Sequence, residues 1–285
     1  MHKPARKPFP VPESSFSNWD EILANPGAIS VEVFTTGQIH ISNHYFLNMK
    51  HPNAEGLKKE LITVPVYCYL IRHAVHGHYL VDAGLDRSFQ EDTHGNIHGI
   101  LRKILWPLKS YQKMGQDMGT RIIESNIPLK GVFFTHLHSD HASGTQNLPK
   151  DIRFVVGKDE PYFALGPLFY QDNFAGVDTV FELDFDSAPD LPPLGRSADI
   201  FGDGSFWAIS TPGHRKGHVS FLVNGKEKTV LITGDACDIR LGFDRCLGPG
   251  FGSHNLPVAQ RSLEKMRTFS DRYPQISVYF GHEIA

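Results

Sequence analysis

Only three cysteines, Cys68, Cys237 and Cys246, occur among 285 residues. A small, odd number excludes a disulfide framework and fits a reducing compartment. Long apolar runs are also missing, since no segment approaches the roughly eighteen uninterrupted apolar residues that span a bilayer. Neither charge sign is in excess: 28 Lys and Arg face 31 Asp and Glu, for a formal net charge of −3. That balance excludes the electrostatic footprint of a binder of nucleic acid or anionic membranes. Internal repeats and low-complexity tracts are absent. The basic start, Met1 to Pro10, runs into prolines and not into an apolar core of about seven residues, so it does not read as a secretory signal. A cytoplasmic location is expected, with a leader already removed as the alternative.

What is present suits an enzyme with one large core. Apolar residues make up 40% of the chain, and α/β sandwiches of this size are often one domain. The expected organisation is a Pro-rich arm with a short helix over 1–28, then a catalytic domain over 29–285. The helix would start at Ser17-Asn18-Trp19-Asp20-Glu21 and stop near Asn25-Pro26. Strands are expected from Ile29 to Thr35, Val64 to Arg72 and Tyr79 to Asp82. The last two would flank a solvated, His-rich hairpin turn, His73 to His78, whose imidazoles lack a further ligand at fixed spacing. Arg121 to Glu124 reads as helical. So does Asn255 to Arg272, where Ala259, Leu263, Met266 and Phe269 recur at helical spacing as a packing stripe. Cys68 reads as core, and Cys237 as a buried small hydrophobe.

The densest chemistry lies in Thr135-His136-Leu137-His138-Ser139-Asp140-His141, directly after the apolar run Gly131-Val132-Phe133-Phe134. If that run is a buried strand, His136 and His138 point the same way, because alternate residues of an extended chain share a face. Two imidazoles can close on one metal ion while Asp140 and His141 reach a neighbouring one. A His-rich surface turn is the bland alternative. Further ligands are therefore sought at the ends of other strands. His214 follows Phe206 to Ile209 within Thr211-Pro212-Gly213-His214; Asp235 follows Val230 to Gly234; His282 follows Val278 to Gly281. A lone His after a strand is more often structural, yet in layered α/β folds such ends gather along one edge, where sites are usually built.

This ordered set, with His218, Gly234-Asp235 and Gly281-His282, resembles the metallo-β-lactamase superfamily of metal-dependent hydrolases. Within it the set is most similar to the N-acyl homoserine lactonases that carry out quorum quenching. The likeness includes Val64 to Ile71 and Tyr79 to Gly84, and covers roughly residues 30 to 285. The resemblance implies an α/β fold of the αββα type, two central mixed sheets covered by helices. It implies two divalent ions, zinc above all, with manganese, iron or cobalt as alternatives. One would take His136, His138 and His214, the other Asp140, His141 and His282, and Asp235 would bridge them. His218 would hold the His214 loop by a hydrogen bond.

Two such ions can acidify a bridging water toward neutrality and polarise a substrate oxygen, so the expected nucleophile is a metal-bridging hydroxide. Asp140, with Asp235 the expected catalytic pair, would orient that water and protonate the leaving oxygen. One departure is notable. Three residues after the bridging aspartate, where the resembling lactonases carry a tyrosine, this chain has Asp238; Tyr170 or Tyr111 could substitute from a loop. Apolar stretches at Ile104 to Leu108, Tyr162 to Tyr170 and Leu241 to Phe243 could wall a substrate pocket, form a dimer contact, or be helices packed on the core. The first reading nominates Trp106, Phe169, Tyr170 and Phe243, beside Asp238, as substrate contacts. It makes the partner a small molecule with an apolar acyl or aryl part. Lactone or carboxylic ester cleavage is the expected reaction. A phosphodiesterase, which the lack of a Lys/Arg cluster around the ligands disfavours but Arg215-Lys216 beside His214 keeps open, or a thioesterase is the alternative. An iron redox protein is disfavoured because both His136 and His138 are present, and a purely binding role leaves the ligand set unused.

Overall fold

The computed structural model describes residues 3–100, 102–105, 109–162 and 170–284, without the side chains of residues 103 and 105. In the N-terminal two thirds the strands are β1 (Ala5–Pro8), β2 (Ile29–Ser42), β3 (Leu61–His73), β4 (Gly77–Val81), β5 (Ile97–His98), β6 (Lys109–Tyr111), β7 (Leu129–Phe133), β8 (Arg153–Gly157), β9 (Tyr170–Gln171) and β10 (Thr179–Leu183). The remainder carries β11 (Asp190–Leu191), β12 (Gly195–Asp199), β13 (Phe206–Ser210), β14 (Val219–Asn224), β15 (Thr229–Ile232) and β16 (Ser277–Tyr279). The helices are α1 (Trp19–Ala24), α2 (Arg102–Leu105), α3 (Met118–Glu124), α4 (Ser139–Ala142), α5 (Arg240–Asp244) and α6 (Leu256–Arg272).

Two sheets result. One has eight strands in the order β1-β10-β8-β7-β4-β3-β2-β6, the other six in the order β11-β12-β13-β14-β15-β16. The first is mixed: β4, β7, β8, β10 and β1 run parallel, whereas β3, β2 and β6 join by antiparallel pairing. The sequence explains why they stack. Neighbouring residues of a strand face opposite ways, and here both faces are apolar. Phe206 and Ala208 of β13 join Tyr69, Ile71, Val81, Phe133 and Val155 in the cluster between the sheets. Trp207 and Ile209 turn outward to Trp19 and Ile22 of α1 and to Leu263, Met266 and Phe269 of α6. On the far side of the eight-stranded sheet, Leu70, Leu80, Val132 and Phe154 pack against Met118 and Ile122 of α3. The four layers are helix, sheet, sheet and helix, the expected αββα class.

Helix ends match the sequence closely. The side chain of Asn18 accepts from the Glu21 N–H and that of Asn255 from the Val258 N–H, satisfying amides that a helix start leaves orphaned.

Several local expectations need correction. β2 does not stop at Thr35. It passes through an irregularity at Thr35/Gly37 and continues to Ser42 beside β3, so Thr36-Gly37 is a bulge inside a strand and not its end. The Pro-rich start is not only an arm, because Ala5–Pro8 pairs in parallel with β10 at the sheet edge, a place where proline does not interrupt a ladder. The hairpin turn between β3 and β4 is not wholly solvated. His73 is buried; its Nε2 donates to Asp203 at 2.9 Å while its Nδ1 accepts from the amides of Val75 and His76. Both ring nitrogens are thus hydrogen-bonded within the protein. For Leu241 to Phe243, where three alternatives stood open, the helical one holds, within α5.

Candidate metal centre

The nominated residues lie beyond the carboxyl ends of strands. After β7 the chain runs through Thr135 to His138 into the short helix α4, which carries Asp140 and His141. His214 lies on the connection from β13 to β14, Asp235 just past β15 and His282 just past β16. The backbone there is built for close approach. Gly234 sits at φ +53°, and a Cβ on it would lie within 3 Å of Thr135 and His218; a Cβ on Gly281 would stand 2.6 Å from Asp235 Oδ1.

The two oxygens of Asp235 divide the imidazoles into two groups. Oδ2 lies 3.4 Å from His214 Nε2 and 3.6 Å from His136 Nε2, and His214 Nε2 is 2.9 Å from His138 Nδ1. Oδ1 lies 3.2 Å from His141 Nε2 and 3.7 Å from His282 Nε2. Asp140 Oδ2 completes the second group, 3.5 Å from His282 Nε2 and 3.8 Å from His141 Nε2. A divalent ion about 2.1 Å from each of four tetrahedral donors would set those donors about 3.4 Å apart. The spacings therefore fit donors around two common points. Among the described residues, His136 Nε2, His141 Nε2, His282 Nε2 and Asp235 Oδ1 are buried without a hydrogen-bond partner. Buried polar atoms are normally paired, and lone pairs converging in this way are what a divalent cation requires. Position one comprises His136, His138, His214 and Asp235; position two comprises Asp140, His141 and His282 with the other oxygen of Asp235.

The ring nitrogens facing away fix the imidazoles. Asp82 accepts from His141 Nδ1 at 2.8 Å, and from the N–H and Oγ1 of Thr135 at 2.8 Å each. With its proton given to Asp82, Thr135 Oγ1 accepts from His136 Nδ1 at 3.1 Å. His282 Nδ1 donates to the carbonyl of Pro65 at 2.9 Å, and its ring stacks on Phe46 with centroids 4.8 Å apart. These bonds leave Nε2 as the free lone pair on all three rings. Ser253 Oγ lies 3.3 Å from His214 Nδ1.

Electrostatics separate His141 from the imidazoles of position one. Burial, reinforced by neighbouring imidazoles, drives His136 and His138 well below the ordinary histidine value and His214 down to about 4, so these rings are neutral near pH 7, the form a divalent cation would need. Burial opposes charge on His141 too, but Asp235, Asp82 and Asp140 outweigh it and hold the ring well above its ordinary value. A cation on Nε2 would satisfy the same carboxylates. Burial raises Asp140. It would also raise Asp235, but His141, then His214 and His282, keep that carboxyl well below its usual range.

His218 meets Thr211 Oγ1 at 2.9 Å, at the start of the His214 connection, and burial lowers it to about 3. Sequence reasoning missed Glu160. Its fully buried carboxylate accepts from the Leu137 N–H at 3.2 Å, Arg215 Nε at 3.0 Å and the Gly217 N–H at 3.1 Å. One side chain thus ties the segment of His136 and His138 to the segment of His214. Nothing in the spacing around Glu160 signals this, because two of its three partners are backbone amides. Asp82 was nominated only as part of a matching strand end; its left-handed backbone, φ +59°, marks it as held for a purpose.

The nominated substrate contacts fare unevenly. Trp106 and Phe169 lie outside the described residues. Tyr170 sits on β9 with its ring 5.4 Å from that of His98. Phe243 packs on Phe280, centroids 5.3 Å apart, at the margin of the α6 core. Asp238 is buried beside the metal-type donors, and burial, with the charge of Asp235, pushes its carboxyl well above the ordinary value.

A family model described as the Metallo-beta-lactamase superfamily matches residues 61–240. N-acyl homoserine lactonase AttM of Agrobacterium fabrum is 29% identical over 242 residues, covering 83% of this chain and 87% of the relative. The AttM protein of Rhizobium johnstonii is 30% identical over 245 residues, covering 84% and 88%. Among solved structures, a B. thuringiensis AiiA variant with N-decanoyl-L-homoserine bound at its active site superposes with a TM-score of 0.68 at 18% identity, covering 90% of this chain and 94% of that one. AidC, described as a dizinc quorum-quenching lactonase, gives 0.56 at 16% identity, covering 90% and 88%. These likenesses show a shared fold.

Proposed function

The chain belongs to the metallo-beta-lactamase superfamily, and on that premise we propose that it is a dinuclear metal-dependent hydrolase that opens a lactone or cleaves a carboxylic ester bearing an apolar acyl group, as N-acyl homoserine lactones do. The observation that carries this reading is Asp235, whose two oxygens face different sets of imidazoles. Divalent ions bound there would supply Lewis acidity and a water acidified toward neutrality. The chain's own residues do the rest. Asp82, Thr135 and Pro65 hold the rings in one tautomer. Asp140, buried among the donors of position two, would hold the proton that the leaving oxygen takes.

Two features favour an acyl substrate over a phosphodiester. The cations beside His214 are engaged elsewhere: Arg215 with Glu160 and the Pro161 carbonyl, Lys216 with Asp159. The ring of His282 has an aromatic neighbour instead, and a second aromatic lies close in the chain to the Ser253 contact of His214. Phe46 stacks on His282, and Phe251, two residues from Ser253, is 66% exposed against Tyr45, centroids 5.4 Å apart. An exposed aromatic beside a polar centre suits an acyl chain. N-acyl homoserine lactonases among the relatives make the acyl lactone the first substrate to test.

The test is pH-stat hydrolysis of acyl homoserine lactones of short and long chain, simple lactones, aryl esters and a phosphodiester. Turnover of lactones or esters with none of the phosphodiester is expected. Turnover of the phosphodiester alone would refute the substrate class.

A further inference from the structure

Asp238 is 2% exposed, and its Oδ2 is buried without a hydrogen-bond partner among the described residues. It is not a stray buried acid. A carboxylate oxygen of Asp238, one of Asp235 and a ring nitrogen of His282 all lie within 4.8 Å of one another. The backbone fixes this placement, because the carbonyl of Asp238 accepts from the His282 N–H at 2.8 Å and that of Cys237 from the Gly281 N–H at 3.0 Å. These two bonds hold the segment of Asp238 against that of His282. The sharing of Asp235 and His282 puts Asp238 on the side of position two.

We propose that Asp238 is a further ligand at position two, so that this position presents three carboxylates, Asp140, Asp235 and Asp238, with two imidazoles, and takes a harder cation than position one. Position one is built from three imidazoles and a single carboxylate oxygen. Imidazole suits zinc, whereas oxygen-rich donor sets shift preference toward manganese and similar hard divalent ions. A buried carboxylate with an unpaired oxygen is costly unless it meets a cation or a proton, and a fifth donor meets that need while raising the coordination number beyond four. The inference rests on the two-cation reading above.

The experiment equilibrates metal-depleted protein with equimolar zinc and manganese, removes free ions by desalting, and counts bound metal by mass spectrometry with the manganese paramagnetic resonance spectrum alongside. Wild type is expected to retain about one zinc and one manganese per chain, with the signal of an isolated manganese ion. Asp238→Asn should lower manganese retention at least tenfold and leave the first zinc in place, and Asp238→Glu should restore part of it. Equal manganese retention in wild type and Asp238→Asn, or zinc in both positions of wild type, would overturn the proposal. The wild-type competition stands even where a variant fails to fold. Fewer than two metals in wild type under every loading would instead refute the dinuclear reading itself, and this inference with it.

Discussion

Asp82 accepts the Nδ1 proton of His141 at 2.8 Å while also taking the N–H and hydroxyl of Thr135. A single carboxylate thereby sets the tautomer of one ring and, through Thr135 Oγ1, that of His136. Asp82→Asn puts an NH2 group where one of those acceptors stood, and the His141 ring must then turn or carry its proton on Nε2. Affinity for the ion at position two should fall by about 10- to 100-fold, read by competition with a chromophoric chelator. Unchanged affinity would show that the ring is held by other means.

Glu160 supports position one in a comparable way, across chain segments. Glu160→Gln removes the charge that Glu160 presents to Arg215 and sets an NH2 group against the amide of Leu137 or Gly217. Breaking a buried pair by removing one partner is costly, so the melting temperature should drop on the order of 5–10 °C. Metal at position one should be lost at a lower chelator concentration than metal at position two. Parallel loss from both positions would mean that Glu160 stabilises the fold without positioning the ligands.

If Phe251 lies along the acyl chain, Phe251→Ala raises KM roughly tenfold for a decanoyl lactone and alters it less than about twofold for a butanoyl one. kcat should stay close to wild type. An equal effect on both substrates would place the acyl chain elsewhere.

Asp86 gives a pH dependence that lies outside the metal ligands. Burial raises its carboxyl to about 6, above the ordinary 3.8, against the opposing bonds from Ser88. The folded chain therefore holds a proton that the unfolded chain releases between those values. The contribution of Asp86 is fully favourable below about pH 4 and is lost as pH rises through 6, an effect on the order of 2–3 kcal/mol. Asp86→Asn should match wild type in stability at pH 4 and exceed it at pH 7.5, by denaturant unfolding. Identical pH profiles for the two proteins would contradict this.

Much of the centre was legible because its donors are adjacent in sequence or follow short apolar runs. Thr135 to His141 needs only a strand and a turn to present four donors, and His214, Asp235 and His282 each stand one short step beyond a strand. The four-layer fold was expected through the family resemblance, and the structure supplies its physical reason, since Phe206-Trp207-Ala208-Ile209 is apolar on both faces and is covered on both. What stayed hidden depends on contacts between distant segments. Glu160 and Asp82 act on backbone amides and on rings from other loops, which no local pattern encodes. The place of Asp238 is set by pairing with the segment of His282, and the continuation of β2 past Gly37 by its long partner β3.

The central claim is that hydrolysis requires two divalent ions, which the donor sets on either side of Asp235 would hold. Its most direct test is to strip the protein with a chelator, return a divalent metal in fractional equivalents, and follow lactone or ester hydrolysis together with bound metal. Turnover should be absent in the stripped protein and rise mainly as the second equivalent binds, and Asp235→Asn should bind less metal and stay inactive. Full turnover in the stripped protein, or full turnover at one equivalent with nothing added by the second, would contradict the account.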